Sequence, residues 1–258
     1  LTLKGAADGR LFIRAEIGGD KPNAKLHIVV ADPADGTIVA DELLPAGMRK
    51  VRTEIATRAE HLWSPNDPYL YDVTATLEFG AAKSQGKQEK LQQESQEIQE
   101  KPAKSQEKQD IVRSYCAFRT VEIKPDLKGV ARFHLNGKPV FLKGVLDQGY
   151  WPDGLLTAPS DEALVHDITA MKESGFTMLR KHIKIESARW YYHCDRLGML
   201  VWQDAVSGGG EYNAWATNRK PTLMRATWNK YRDDTAKHFA ALGADDSTYR
   251  RDWSRTCD

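Results

Sequence analysis

Three groups of side chains in the second half of the chain could do chemistry together. Asp147, Gln148, Tyr150, Trp151 and Asp153 share one stretch, Arg180, Lys181 and His182 stand in a row, and Gln203 and Asp204 are adjacent further on. Aromatic rings beside carboxylates, amides and a guanidinium suit a sugar, whose CH faces stack on rings and whose hydroxyls need donors and acceptors held in place. Asp147, Trp151, Asp153, Arg180, His182 and Asp204 are therefore the candidate substrate-binding residues. Each alone has a plainer role open to it: Arg180 or Asp204 as half of an ion pair, His182 as a satisfied histidine. Their convergence on one rim carries the reading.

That convergence depends on the elements between the groups. Ser160 stands where an N-cap would open a helix whose apolar face is Leu164, Ile168 and Met171, with Gly175 past its end. Phe176 to Arg180 is a short apolar strand, Ser187 opens a second helix through Trp190, Cys194 and Leu197, and Gly198 closes it before the strand Met199–Gln203. With the strand around Leu142–Val145 in front, the order is β-α-β-α-β, which requires parallel strands and right-handed crossovers. A closed barrel and an open doubly wound sheet both begin this way. The first loop has no G-x-G-x-x-G, and Ser207-Gly208-Gly209-Gly210 is followed by no Lys-Ser or Lys-Thr, so neither is a nucleotide site. In a barrel the three groups fall at the C-terminal strand ends, where such folds build their sites.

The first half reads differently. Leu11–Ile17, Leu26–Val30, Val51–Ile55 and Tyr69–Leu77 are short β-rich runs separated by turn signals such as Gly18-Gly19-Asp20 and Asp32-Pro33-Ala34-Asp35-Gly36, the pattern of an antiparallel sandwich. Residues 81–110 break it: six lysines balance five glutamates and one aspartate, with Leu91 and Ile98 as the large aliphatics, and such a stretch cannot bury enough apolar surface to order itself. The run Ile111–Ile123 resumes the strands and pairs with the one before the insertion, making 81–110 an overgrown hairpin tip. A further hairpin carries the Asn136-Gly137 signal of a type I′ turn. The domains expected are 1–124, a sandwich with the 81–110 insertion, and 125–258, a β/α segment.

A net charge of +1 gives no reason to expect nucleic acid or an anionic membrane as partner, and no apolar run reaches the length of a membrane-spanning helix. Cys116, Cys194 and Cys257 form no metal-ligand or disulfide pattern. No cofactor and no metal are expected, and an oligomer is left open.

Leu62-Trp63-Ser64-Pro65-Asn66-Asp67-Pro68-Tyr69-Leu70-Tyr71, Phe118-Arg119-Thr120-Val121-Glu122-Ile123, the run Phe133–Val145, and Trp190–Trp202 together resemble glycoside hydrolase family 2, which includes β-galactosidases, β-glucuronidases and β-mannosidases. The resemblance implies a fold of β plus α/β class: an immunoglobulin-like β-sandwich followed by the N-terminal part of a (β/α)8 TIM barrel. It implies retaining hydrolysis of β-linked glycosides by two glutamates ~5 Å apart, one acid/base and one nucleophile. In the family the acid/base follows an asparagine at the fourth strand's end, and the nucleophile ends the seventh. This chain has no Asn-Glu pair. It is thus expected to be a fragment lacking both catalytic glutamates, inactive alone, and Glu186 and Glu211 do not take their roles. Arg180 matches the family's arginine at the second strand's end, His182 the histidine just beyond, and Asp204 an acidic position ending the third. Where the family's galactosidases carry His-Glu-His, this chain has Leu146-Asp147-Gln148-Gly149-Tyr150, a departure from their galactose and magnesium sites. The alternative reading is a non-catalytic carbohydrate-binding or interaction module.

Overall fold

A computed structural model describes residues 1–19, 23–47, 49–78, 110–206, 223 and 247–257. The expected insertion apart from Asp110, the Ser207–Gly210 loop, Glu211 and the tail around Trp228 lie outside the described residues. The chain divides into two compact units, Leu1–Val140 and Phe141–Asp258.

The first unit begins with β1 (Thr2–Gly5), β2 (Arg10–Glu16), β3 (Lys25–Ala31), β4 (Ile38–Pro45), β5 (Lys50–Ala56), β6 (Tyr71–Glu78) and β7 (Asp110–Cys116). They form two antiparallel sheets, ordered β1-β2-β5 and β4-β3-β6-β7. Strand alternation puts Leu11, Ile13 and Ala15 with Val51 and Ile55 on the inner face of one sheet. Leu26, Ile28 and Val30 with Tyr71, Val73, Ala75 and Leu77 do the same on the other, and all join a single core. Each such aliphatic removed from water contributes about 1.5–3 kcal/mol, which fixes the register, since a one-residue slip would turn a whole row outward. β6 and β7 pair from Tyr71↔Cys116 to Leu77↔Asp110, so the segment between them does leave from a hairpin tip.

The expected single run Ile111–Ile123 is two strands. Phe118, fully buried, turns into the core against Tyr71 in an edge-to-face contact of 5.3 Å, and the chain leaves the sheet there. β8 (Val121–Pro125), β9 (Ala131–Leu135) and β10 (Lys138–Pro139) then make a separate small sheet. Its turn has φ 51° at Asn136 and 75° at Gly137, the two left-handed residues of a type I′ hairpin. The Asn136 carboxamide accepts from Thr120 N–H (2.9 Å) and donates to the Trp63 carbonyl (3.0 Å). That clasp ties the hairpin to the strands before it, within the compact unit that runs to Val140.

The second unit opens with β11 (Gly144–Asp147), α1 (Asp161–Glu173), β12 (Met178–Lys181), α2 (Ala188–Leu197) and β13 (Leu200–Gln203); α3 (Ser247–Cys257) follows later. β11, β12 and β13 are parallel and adjacent in chain order. Ser160 caps α1 through a 3.2 Å bond from Ala163 N–H to its Oγ, and Gly175 (φ 88°) and Gly198 (φ 74°) end the two helices in left-handed conformations. Ser187 makes no side-chain cap bond at α2; its own N–H is instead taken by Glu186 Oε2 at 3.3 Å. Leu164 and Ile168 of α1, Leu179 of β12, Trp190 and Cys194 of α2, and Met199 form one core, so both helices cover the same face of the sheet.

Candidate functional site

The parallel register sorts the candidate residues onto two faces. Asp147, Lys181 and Gln203 occupy one row, and Leu146, Arg180 and Trp202 the next. Because successive side chains in a strand alternate, these rows face opposite ways. Lys181 is wholly buried, with its ammonium 4.2 Å from the Trp190 ring centre, so its row faces the helices. Leu146 and Trp202 are about half exposed on the other, open face.

The open face carries Arg180, His182 and Asp204 together. Arg180 pairs side-on with Asp204, Nε to Oδ1 and Nη2 to Oδ2, both at 3.0 Å. The Asp204 carboxylate raises the Arg180 guanidinium above its ordinary value, and the guanidinium keeps further N–H groups to offer. The ladder continues past the strand ends, with His182 N–H on the Asp147 carbonyl (2.9 Å) and Asp204 N–H on the Lys181 carbonyl (3.1 Å). That extension brings Gln148 and His182 side by side, Gln148 Nε2 lying 2.8 Å from His182 Nδ1. With the amide nitrogen as donor, Nδ1 accepts, the arrangement that leaves a neutral ring's proton on Nε2 as a donor for a hydroxyl or carbonyl oxygen.

The other candidates sit elsewhere. Asp147 faces the helices, its Oδ2 2.8 Å from Lys181 Nζ and its Oδ1 taking the Gly149 N–H at 2.8 Å. Trp151 packs against the helix core and exchanges backbone bonds with Leu155 (2.8 and 3.0 Å). Asp153 is exposed in the turn between them.

Beneath the rim lies a cluster that the residue pattern did not single out. Glu186 Oε1 stands 3.1 Å from Lys181 Nζ and 2.6 Å from Lys184 Nζ. Lys184 Nζ also donates to the carbonyls of Gly149 (2.8 Å) and Leu156 (2.9 Å). Gln203 Nε2 donates to the Lys184 carbonyl (2.8 Å), and Gln203 Oε1 accepts from Tyr191 OH (2.5 Å). Burial pushes the Glu186 carboxyl upward, but Lys184 and Lys181 outweigh it and hold it below the usual carboxylate range. The usable signal for this cluster was the spacing Lys181-x-x-Lys184-x-Glu186 at a strand end; its burial was not readable. No group of three His, Cys, Asp or Glu side chains able to hold a metal occurs among the described residues.

The chain is similar to several β-glycosidases. The chain is 25% identical over 197 residues to a β-galactosidase of Lactobacillus delbrueckii subsp. bulgaricus, covering 76% of this chain and 16% of that protein. It is 26% identical over 225 residues to β-mannosidase B of Aspergillus terreus, covering 83% and 23%. Among solved structures, a Parabacteroides merdae β-glucuronidase matches with a TM-score of 0.59 at 18% identity, over 85% of this chain and 25% of that one. A Bacteroides uniformis β-glucuronidase matches at 0.56 and 25% identity, over 83% and 24%. No family model matches. The resemblance to glycoside hydrolase family 2 therefore holds, at low identity. The chain spans about a quarter or less of the length of these relatives.

Proposed function

We propose that this chain is the part of a retaining β-glycosidase that carries an immunoglobulin-like sandwich and the opening strands of a (β/α)8 barrel. Three parallel strands in chain order, with both crossover helices on one face, are what the opening of a barrel requires. One half of a doubly wound sheet shares that arrangement, and the likeness of the chain to solved β-glucuronidases is what favours the barrel. The observation that carries the sugar reading is the open-face row. Arg180 held by Asp204, and His182 held by Gln148, offer fixed donors beside the half-exposed Trp202. Fixed donors and an apolar ring are what recognition of a polyhydroxylated ring requires. Asp147 supports the rim from behind, and Trp151 anchors the first loop.

The chemistry of such an enzyme needs one carboxylic acid and one carboxylate facing the same sugar. Glu186 is unsuited to either role: it is ion-paired to two lysines on the helix side and held ionised. The 258 residues contain no Asn-Glu pair. The chain by itself is therefore expected to release no nitrophenol from aryl β-glycosides while still binding simple glycosides at the rim. Equilibrium dialysis with methyl β-glycosides tests this. Retention that falls at least tenfold in Arg180→Gln supports the rim; equal retention by both proteins, or turnover by the 258-residue chain, contradicts the reading.

A further inference from the structure

The helix-side charge cluster has a geometry that a simple structural ion pair does not need. Lys184 Nζ reaches two carbonyls of the loop after β11, Gly149 at 2.8 Å and Leu156 at 2.9 Å, while its charge is met by Glu186 at 2.6 Å. The same Glu186 oxygen meets Lys181, which in turn holds Asp147 at the start of that loop. One buried cluster thus grips the loop at Asp147, Gly149 and Leu156. Gly149 lies directly on it: a Cβ there would come within 2.1 Å of Glu186 Oε1 and 2.9 Å of Lys184 Nζ, at a φ of 61°. The loop backbone approaches as closely as only glycine allows.

Gln148 sits between two of the gripped positions, and its amide is the partner of His182 Nδ1. We propose that Lys184, with Glu186 and Lys181, is a positioning group for the rim: it sets the loop so that Gln148 meets His182 and fixes which ring nitrogen carries the proton. The Gln203 side chain extends the grip to the third strand by bonding the Lys184 carbonyl, so the C-terminal ends of all three strands are tied to one residue. Lys184 touches no substrate in this scheme; it acts through Gln148. The functional meaning rests on the sugar-rim reading, but the positioning itself does not.

The test uses the full chain with 15N-labelled histidine and contains no sugar, so its failure is distinct from failure of the rim to bind glycosides. Gln148→Ala defines the change in the His182 Nδ1 resonance when the partner is lost. Lys184→Met and Glu186→Gln, neither of which touches His182, are expected to move that resonance in the same direction by at least half as much. A merely structural cluster would lower stability and leave the His182 ring of the folded protein unmoved. An unmoved ring in both variants overturns the proposal, as does a Gln148→Ala protein whose His182 resonance matches wild type. Glu186→Gln keeps the side chain's shape and one acceptor oxygen, so the question stays answerable if Lys184→Met does not fold.

Discussion

Replacing Lys181 with methionine is the sharpest probe of the second unit's energetics. The side chain is 1% exposed, its ammonium lies 2.8 Å from Asp147 and 3.1 Å from Glu186, and it stands 4.2 Å from the Trp190 ring centre. Methionine keeps the length and removes the charge. Glu186 retains Lys184 at 2.6 Å, so the carboxylate left without its cation is Asp147, which keeps the Gly149 N–H and is 23% exposed. Breaking a buried pair from one side costs ~3–5 kcal/mol, and these surviving contacts put the expected loss at the low end, about 3 kcal/mol. Of that, ~1 kcal/mol belongs to the ammonium over the indole. Hydrogen exchange read by mass spectrometry on the full chain should show opening of β12 and α2 becoming roughly a hundredfold more frequent, at ~1.4 kcal/mol per tenfold. Peptides from β2 and β3 should not change. Adding Asp147→Asn removes the stranded charge and should recover part of the loss. A loss under ~1 kcal/mol, or strictly additive single and double variants, would refute the assignment of Lys181 as a buried, two-carboxylate cation.

Three further outcomes follow from the same geometry. Glu186 is held below its ordinary value of 4.5, so its contribution is full above that value and is lost as pH falls through the lower, folded value. Urea unfolding of the second unit between pH 6 and 3 should therefore weaken in wild type, and the gap to Glu186→Gln should close as pH drops; a gap constant with pH contradicts the pairing. Asn136→Ala removes the acceptor for Thr120 N–H and the donor to the Trp63 carbonyl, and it leaves an alanine at positive φ. It should cost about 2–3 kcal/mol in the first unit by denaturant titration, and no change would mean the clasp carries no weight. Burial pushes the Cys116 thiol up to about 12 and the Cys194 thiol up as well, so neither should react with a disulfide reagent until the chain unfolds.

Much of the fold was legible because local chemistry and final structure agree. Asn136-Gly137 gave its hairpin, Ser160 and Gly175 bounded α1, and the apolar spacing of Leu164 and Ile168 pointed to the face that is buried. β1 and β4 were not foreseen: one is four residues long and the other carries Asp41-Glu42 at its centre. The run through Phe118 read as one strand because nothing in its composition reveals that a single aromatic turns inward and hands the chain to another sheet. In the second unit, strand order was legible but sidedness was not. Strands of four residues covered on one face by helices give too little alternation to tell Arg180 from Lys181, and a lysine ending a strand reads as solvent-facing. Three partners outside the strand, Asp147, Glu186 and Trp190, decide otherwise. The same sidedness separates Asp147 from the rim on which it was expected, while Trp151, in the loop after β11, packs against the helix core.

The central claim is that the open face of β11–β13 holds a sugar. Titrating the 15N-labelled chain with methyl β-galactoside, β-mannoside and β-glucuronide, and mapping the resonances that move, tests it most directly. Saturable shifts at Gln148, Arg180, His182 and Asp204 for at least one of these sugars, abolished by Arg180→Gln, are the predicted result. Shifts confined to residues 1–140, or none at millimolar sugar, would contradict it.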